Sequence, residues 1–113
     1  MSAVKKSMNP IPPTLRGKKR YVRFELICPV TLQEIHVRNS LFSTFSQLFG
    51  ERGIAGQKLW LIKWFPQKNA GIVRCSLGHL EEVKAGLLFI EKAGAQPVVP
   101  FIVAVSGSVG KLK

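Results

Sequence analysis

The order in which apolar spacing switches period constrains this chain most. From Arg20 onward, Val22, Phe24, Leu26 and Cys28 alternate with Tyr21, Arg23, Glu25 and Ile27, the period of two that marks a half-buried strand ended by Pro29. Ile35, Leu41, Phe42, Phe45, Leu48 and Phe49 then recur at helical spacing. Thr31 and Glu34 stand in the relation of a capping box, so the helix is expected to start there, with Gly50 and Gly53 as its stop. Lys58 to Phe65 reads as a second strand, and Pro66 to Gly71 as a tight connection into a third strand ending at Cys75. Ser76 is the expected N-cap of a second helix carrying Leu80, Val83, Leu87 and Ile90, with Gly94 beyond its end. Val98 to Val105 is the last strand, and Pro97 and Pro100 place it at a sheet edge, where a missing N–H is tolerated. The β-α-β-β-α-β order is that of ferredoxin-like and RNA-recognition-motif folds. It is an α+β sandwich, a four-stranded antiparallel sheet with helices on one face.

A length of 113 residues suits one domain. Residues 1–19, rich in Pro and Lys and without an acid, read as a basic arm; residues 20–106 form the domain; residues 107–113 form a basic Gly/Ser tail. The first and third strands should be antiparallel neighbours, which puts Cys28 and Cys75 at opposite ends of the sheet and excludes a disulfide between them. Both are expected to be reduced. The apolar runs Ala85–Ile90 and Phe101–Val105 fall short of the roughly 18–20 residues that span a bilayer. Met1 to Lys6 is followed by Ser, Asn and Pro rather than an apolar run, so no membrane association and a cytoplasmic location are expected.

Charge narrows the function. Seventeen Lys and Arg against six acids give a net charge of +11, and 46% hydrophobic residues make the chain too apolar for a disordered basic tail. A folded domain with this field suits a polyanion. All the acids are Glu; without Asp the chain holds no Ser/His/Asp triad, EF-hand loop or Asp-based Mg²⁺ site. No metal-binding or catalytic residue is therefore assigned, and no cofactor is expected on the protein. His36 and His79 have no evident catalytic neighbour, and Ser106 to Lys111 lacks the first Gly and the Ser/Thr of a phosphate loop. The third strand also lacks the aromatic signature of base-stacking RNA-recognition motifs. The open sheet face should instead offer Arg23, Lys63 and Arg74, which suit a phosphate backbone; the alternative is that Arg23 and Arg74 are solvated or pair with Glu25. The densest basic run is Arg16, Lys18, Lys19, Arg20 and Arg23, and Lys111 on the Gly-rich tail can also lie along phosphates.

The last strand is apolar on both faces although it sits at an edge. Val99, Phe101, Ile102, Val103 and Val105 therefore read as a protein interface, with surplus from Trp60 and Trp64 on one face of the second strand or Leu59, Leu61 and Phe65 on the other.

Pro12-Pro-Thr-Leu-Arg16, Lys18-Lys-Arg-Tyr21, Trp60-Leu-Ile-Lys63, Gly71-Ile-Val-Arg-Cys75 and Val105-Ser-Gly107, in this order and spacing, resemble the archaeal ribonuclease P protein component 2 family. The family usually continues after Ser-Gly with Thr, Ile and a longer basic stretch, whereas here Ser108, Val109 and Gly110 precede two lysines. The resemblance implies a subunit of an endoribonuclease that removes 5′ leaders from precursor tRNA, with catalytic Mg²⁺ held by the ribonuclease P RNA. It further implies binding to ribonuclease P protein component 3, self-association into a heterotetramer, and RNA contacts through Lys18, Lys19, Arg20, Arg23 and Arg74. A ribosomal or other structured-RNA-binding protein accounts for the charge equally well. A small ferredoxin-like phosphatase, using Arg16 with Asn39 or Asn69, lacks a suitable loop after the first strand.

Overall fold

The computed structural model describes residues 18–113; of the arm expected over residues 1–19, all but Lys18 and Lys19 lies outside the described residues. The elements are β1 (Lys19–Ile27), α1 (Glu34–Gln57), β2 (Trp60–Phe65), β3 (Ala70–Ser76), α2 (Leu80–Leu87), a short hairpin of β4 (Lys92–Ala93) and β5 (Gln96–Pro97), and β6 (Val99–Ser106). The main sheet has the order β2-β3-β1-β6 and its pairs are antiparallel, so β2 and β6 are its edges. This is the expected ferredoxin-like arrangement, with the β4–β5 hairpin added.

Alternation in β1 sets the core. Val22, Phe24 and Leu26 are fully buried against Val37, Leu41 and Phe45 of α1 and Val83 and Leu87 of α2. Each such side chain contributes roughly 1.5–3 kcal/mol. The helical stripe is narrower than its spacing suggests, because Ile35 and Leu48 are exposed. The capping box does not form: Gln33 occupies the N-cap, without a side-chain bond, and its carbonyl accepts from His36 and Val37. Nor does the helix stop at Gly50. Gly50 adopts φ 72°, a conformation a Cβ would disfavour, and kinks the chain before the helix resumes and runs to Gln57. Ser76 likewise caps nothing with its side chain, for a 3₁₀ turn at Leu77–His79 precedes α2 and the Ser76 hydroxyl instead meets His79 Nδ1 at 2.8 Å.

The β2–β3 connection is a 3₁₀ turn, Pro66–Lys68, closed by Asn69 at φ 48°. The Asn69 amide donates to Val30 O at 2.8 Å and accepts from Leu32 N at 2.9 Å, while Trp64 Nε1 donates to Leu32 O at 2.9 Å. These bonds fasten the loop leading into α1. Cys28 and Cys75 are free thiols, with Arg20 opposite Cys75 at the start of β1 and Cys28 beyond its end. Burial pushes the Cys75 thiol up to about 11. Among the described residues no helix is long and apolar enough to cross a membrane.

Gly86 of α2 lies against the Phe45 and Phe49 rings of α1, where a Cβ would stand 2.6 Å from Phe45 Cζ and 3.0 Å from Phe49 Cε2. Gly86→Ala should therefore lower stability by about 1–3 kcal/mol, read as a fall in the urea midpoint at constant m. The same change at Gly110, where a Cβ meets nothing closer than Ser108 Oγ at 3.7 Å, should leave the midpoint unchanged or slightly higher.

Candidate nucleic-acid interface

Residues directly opposite across antiparallel strands share a face, so the register lays out the side of the sheet away from the helices. Lys63, Ile72, Arg23 and Ala104 form one row across β2, β3, β1 and β6. Trp60, Arg74, Tyr21 and Ser106 form the next, and Phe65, Ala70, Glu25 and Phe101 the third. Arg23, Lys63 and Arg74 thus share this face, with Glu25 the only acid in these rows. Neither Arg23 nor Arg74 pairs with Glu25; the ion pairs found among the described residues are Arg38–Glu34 and Lys84–Glu81.

Two bulges make this layout differ from simple alternation. One falls between Leu61 and Lys63, so that Leu59, Leu61 and Trp64 enter the core while Lys63 and Phe65 turn outward. Trp60 and Trp64 therefore do not share a face, as strict alternation would require. The other lies opposite Arg23 and Phe24, between Ala104 and Ile102. Val99, Phe101, Val103 and Val105 are exposed, Val99 by 61% and Phe101 by 53%. Ile102, by contrast, faces Phe24 and packs on the core, because the bulge restores the inward phase. It is thus not available as an interface residue. Ile27, paired with Val99, is exposed and extends the apolar end of the outer face.

The segment read as a tail folds back. Val109–Leu112 is a 3₁₀ turn packed against β1 and β6, and Leu112 is only 5% exposed. Arg23 Nη1 donates to Leu112 O at 2.7 Å, and its guanidinium lies 4.9 Å from the Phe65 ring centre. Lys63 Nζ lies 5.9 Å from the same ring. Arg23 thus holds the chain's own turn rather than standing open to a phosphate, whereas Lys111 on that turn is exposed. Ile72 is fully buried on this outer face, outside the helix-side core.

The basic run at the start of β1 divides between faces. Arg20 is opposite Cys75 of the core, donates to Lys19 O at 2.9 Å and lies against Gly107. Lys18 is exposed, with its carbonyl accepting from Leu77 N at 3.0 Å. Lys19 is opposite Ser76. Arg16 lies outside the described residues. A cation that sequence reading passed over is Arg38, whose guanidinium lies 6.0 Å from the half-exposed Trp60 ring while pairing with Glu34. Nothing in the helical spacing marks Arg38, since its neighbour Trp60 is brought to it only by the tertiary fold.

Among the described residues there is no group of three or more His, Cys, Asp or Glu placed to hold a metal ion.

The fold and surface can be set beside known proteins. The model of the Rpp14/Pop5 family matches residues 20–113. The chain belongs to this family. It is 32% identical to ribonuclease P protein component 2 of Pyrococcus horikoshii, over 96% of this chain and 90% of that one. It is 35% identical to the protein of the same name from Methanocaldococcus jannaschii, over 91% of this chain and 75% of that one. The Archaeoglobus fulgidus counterpart is 32% identical over 94% of both chains. A chain in the cryo-EM structure of yeast ribonuclease MRP superposes with a TM-score of 0.62 and 11% identity, covering 81% of this chain and 76% of that one, a likeness of fold. The family match starts at Arg20 and includes the C-terminal turn, so the matched region is the sandwich together with Val109–Leu112.

Arg23→Gln removes the charged donor to Leu112 O, a bond worth about 1.5–3 kcal/mol when formed by a charged group. Hydrogen exchange of residues 109–112 should accelerate about tenfold or more, while amides in the β1–β3 ladder keep their protection.

Proposed function

We propose that this chain is a protein component of ribonuclease P that binds the enzyme's RNA and supports it in removing the 5′ leader of precursor tRNA. The observation that carries the reading is a sheet face whose rows hold Lys63, Arg23 and Arg74 against the single acid Glu25, in a chain of net charge +11 that belongs to the Rpp14/Pop5 family. Lys18, Lys19, Arg20, Lys63, Arg74 and Lys111 contact phosphates, Arg16 adds to them from the arm, and Arg23 acts by positioning the C-terminal turn. Catalysis belongs to the RNA, which holds the Mg²⁺; this chain contributes no active site, consistent with the lack of Asp. The exposed Val99, Phe101, Val103 and Val105 meet protein, either component 3 or a second copy of this chain within a heterotetramer. The complex works in the cytoplasm.

RNA recovered with the tagged chain from its native cells should be the ribonuclease P RNA; recovery of ribosomal subunits instead would overturn the reading. Purified, RNA-free chain should cleave no precursor tRNA at any Mg²⁺ concentration. Reversing the charges of Lys18, Lys19 and Arg20 should weaken RNA binding and flatten its salt dependence by about 0.7–0.9 log unit for each phosphate no longer neutralised. An unaltered slope would remove these residues from the interface. Phe101→Lys should leave a folded chain that no longer captures component 3 or its own copy, whereas Ile102→Lys should unfold the domain, because it buries a charge beside Phe24.

A further inference from the structure

Trp60 is half exposed, at the start of the free-edge strand β2, with Arg38 near its ring and Arg74 beside it in the register; the one acid that reaches this group is Glu34, through its ion pair with Arg38. On one side Arg38 sits 6.0 Å from its ring centre and Phe42 packs 6.1 Å away. On the other, the register puts Arg74 directly opposite on β3, with Tyr21 next in the row. The Nε atoms of both Arg38 and Arg74 are buried without a hydrogen-bond partner. Lys58, exposed in a left-handed turn two residues before, adds a further cation. A half-exposed indole with one guanidinium near its ring and a second arginine opposite on the neighbouring strand combines the parts that stack a nucleobase and neutralise its phosphates. It needs no aromatic on β3, which is why the missing RNA-recognition signature does not bear on it.

We propose that Trp60, Arg38 and Arg74 form a docking site for one unpaired nucleotide of RNA, the base stacking on Trp60 and the flanking phosphates meeting Arg74 and Arg38. This deepens the proposed RNA-binding function and rests on it. Acid-rich protein is the competing occupant, and RNA is favoured because an unpaired base uses the exposed ring and its backbone uses both cations at once. A paired base has its faces covered by its neighbours, so the site discriminates single strands from duplex.

The test uses the full chain with two fluorescein-labelled probes, a single-stranded ten-nucleotide oligoadenylate and a blunt RNA duplex, followed by anisotropy over a range of salt. Trp60→Ala should weaken the single strand about 5- to 150-fold, the loss expected for one stacked base, and leave duplex affinity unchanged. The salt slope should not change, since no ionic contact is removed. Trp60→Phe should restore most of the affinity, and single-strand binding should quench the emission of the wild-type chain but not of this variant. Unchanged single-strand affinity in Trp60→Ala, with a native circular dichroism spectrum, overturns the site while leaving the general RNA reading intact. Equal losses on both probes also overturn it, as does loss of component 3 capture or of self-association in Trp60→Ala with both RNA affinities unchanged. Failure of the wild-type chain to bind either probe removes the RNA reading itself.

Discussion

Phe24 lies at the middle of β1 with strands on both sides, helices below and no access to water. Because side chains alternate at a period of two, its burial fixes the direction of every other residue in β1. A slip of one residue would bury Arg23 and Glu25 together and expose Val22 and Leu26. The pairing then carries that phase outward: Arg23 selects Ile72 and Ala104, and Tyr21 selects Arg74 and Ser106. The cationic outer face is thus the obligatory reverse side of the apolar core.

This dependence explains what could be read from the residues in advance. The β-α-β-β-α-β order, the inward set Val22, Phe24 and Leu26, the edge position of the last strand and the exposed Val99 and Phe101 all follow from alternation and from proline placement. Local polar signals were weaker guides. Thr31 and Ser76 have the chemistry of caps, yet Gln33 and a 3₁₀ turn take those places: Asn69 and Trp64, far away in sequence, fasten the backbone of the loop around Thr31, and the Ser76 hydroxyl is engaged by His79. Gly50 marked a break correctly but not an end, since Ile54 beyond the kink still packs against the core.

The site was legible in its residue types and less so in its arrangement. The outer positions of Arg23, Lys63 and Arg74 could be read, but the tie between Arg23 and Leu112 joins strand and turn across almost the whole domain, and no spacing rule marks it. The bulge near Ile62 is a single extra residue that puts Trp60 and Trp64 on opposite faces, and it leaves no mark in composition. Sequence identity of 30–35% to the archaeal proteins, beside 11% to a yeast chain of the same fold, shows how loosely side-chain identity binds this backbone.

The central strand has one further consequence. β1 pairs with β3, but its other edge is closed by β6, near the far end of the domain, through pairs such as Val22 with Val105. While the chain is being made, β1 leaves the ribosome long before β6 exists, and its outer row of backbone N–H and C=O groups stays open throughout. Final closure requires a long-range loop to form against chain entropy, which makes it a late and slow step. Newly made protein therefore passes through a period in which the strand at the centre of its core offers an unpaired edge, and its need for chaperones should be greatest then.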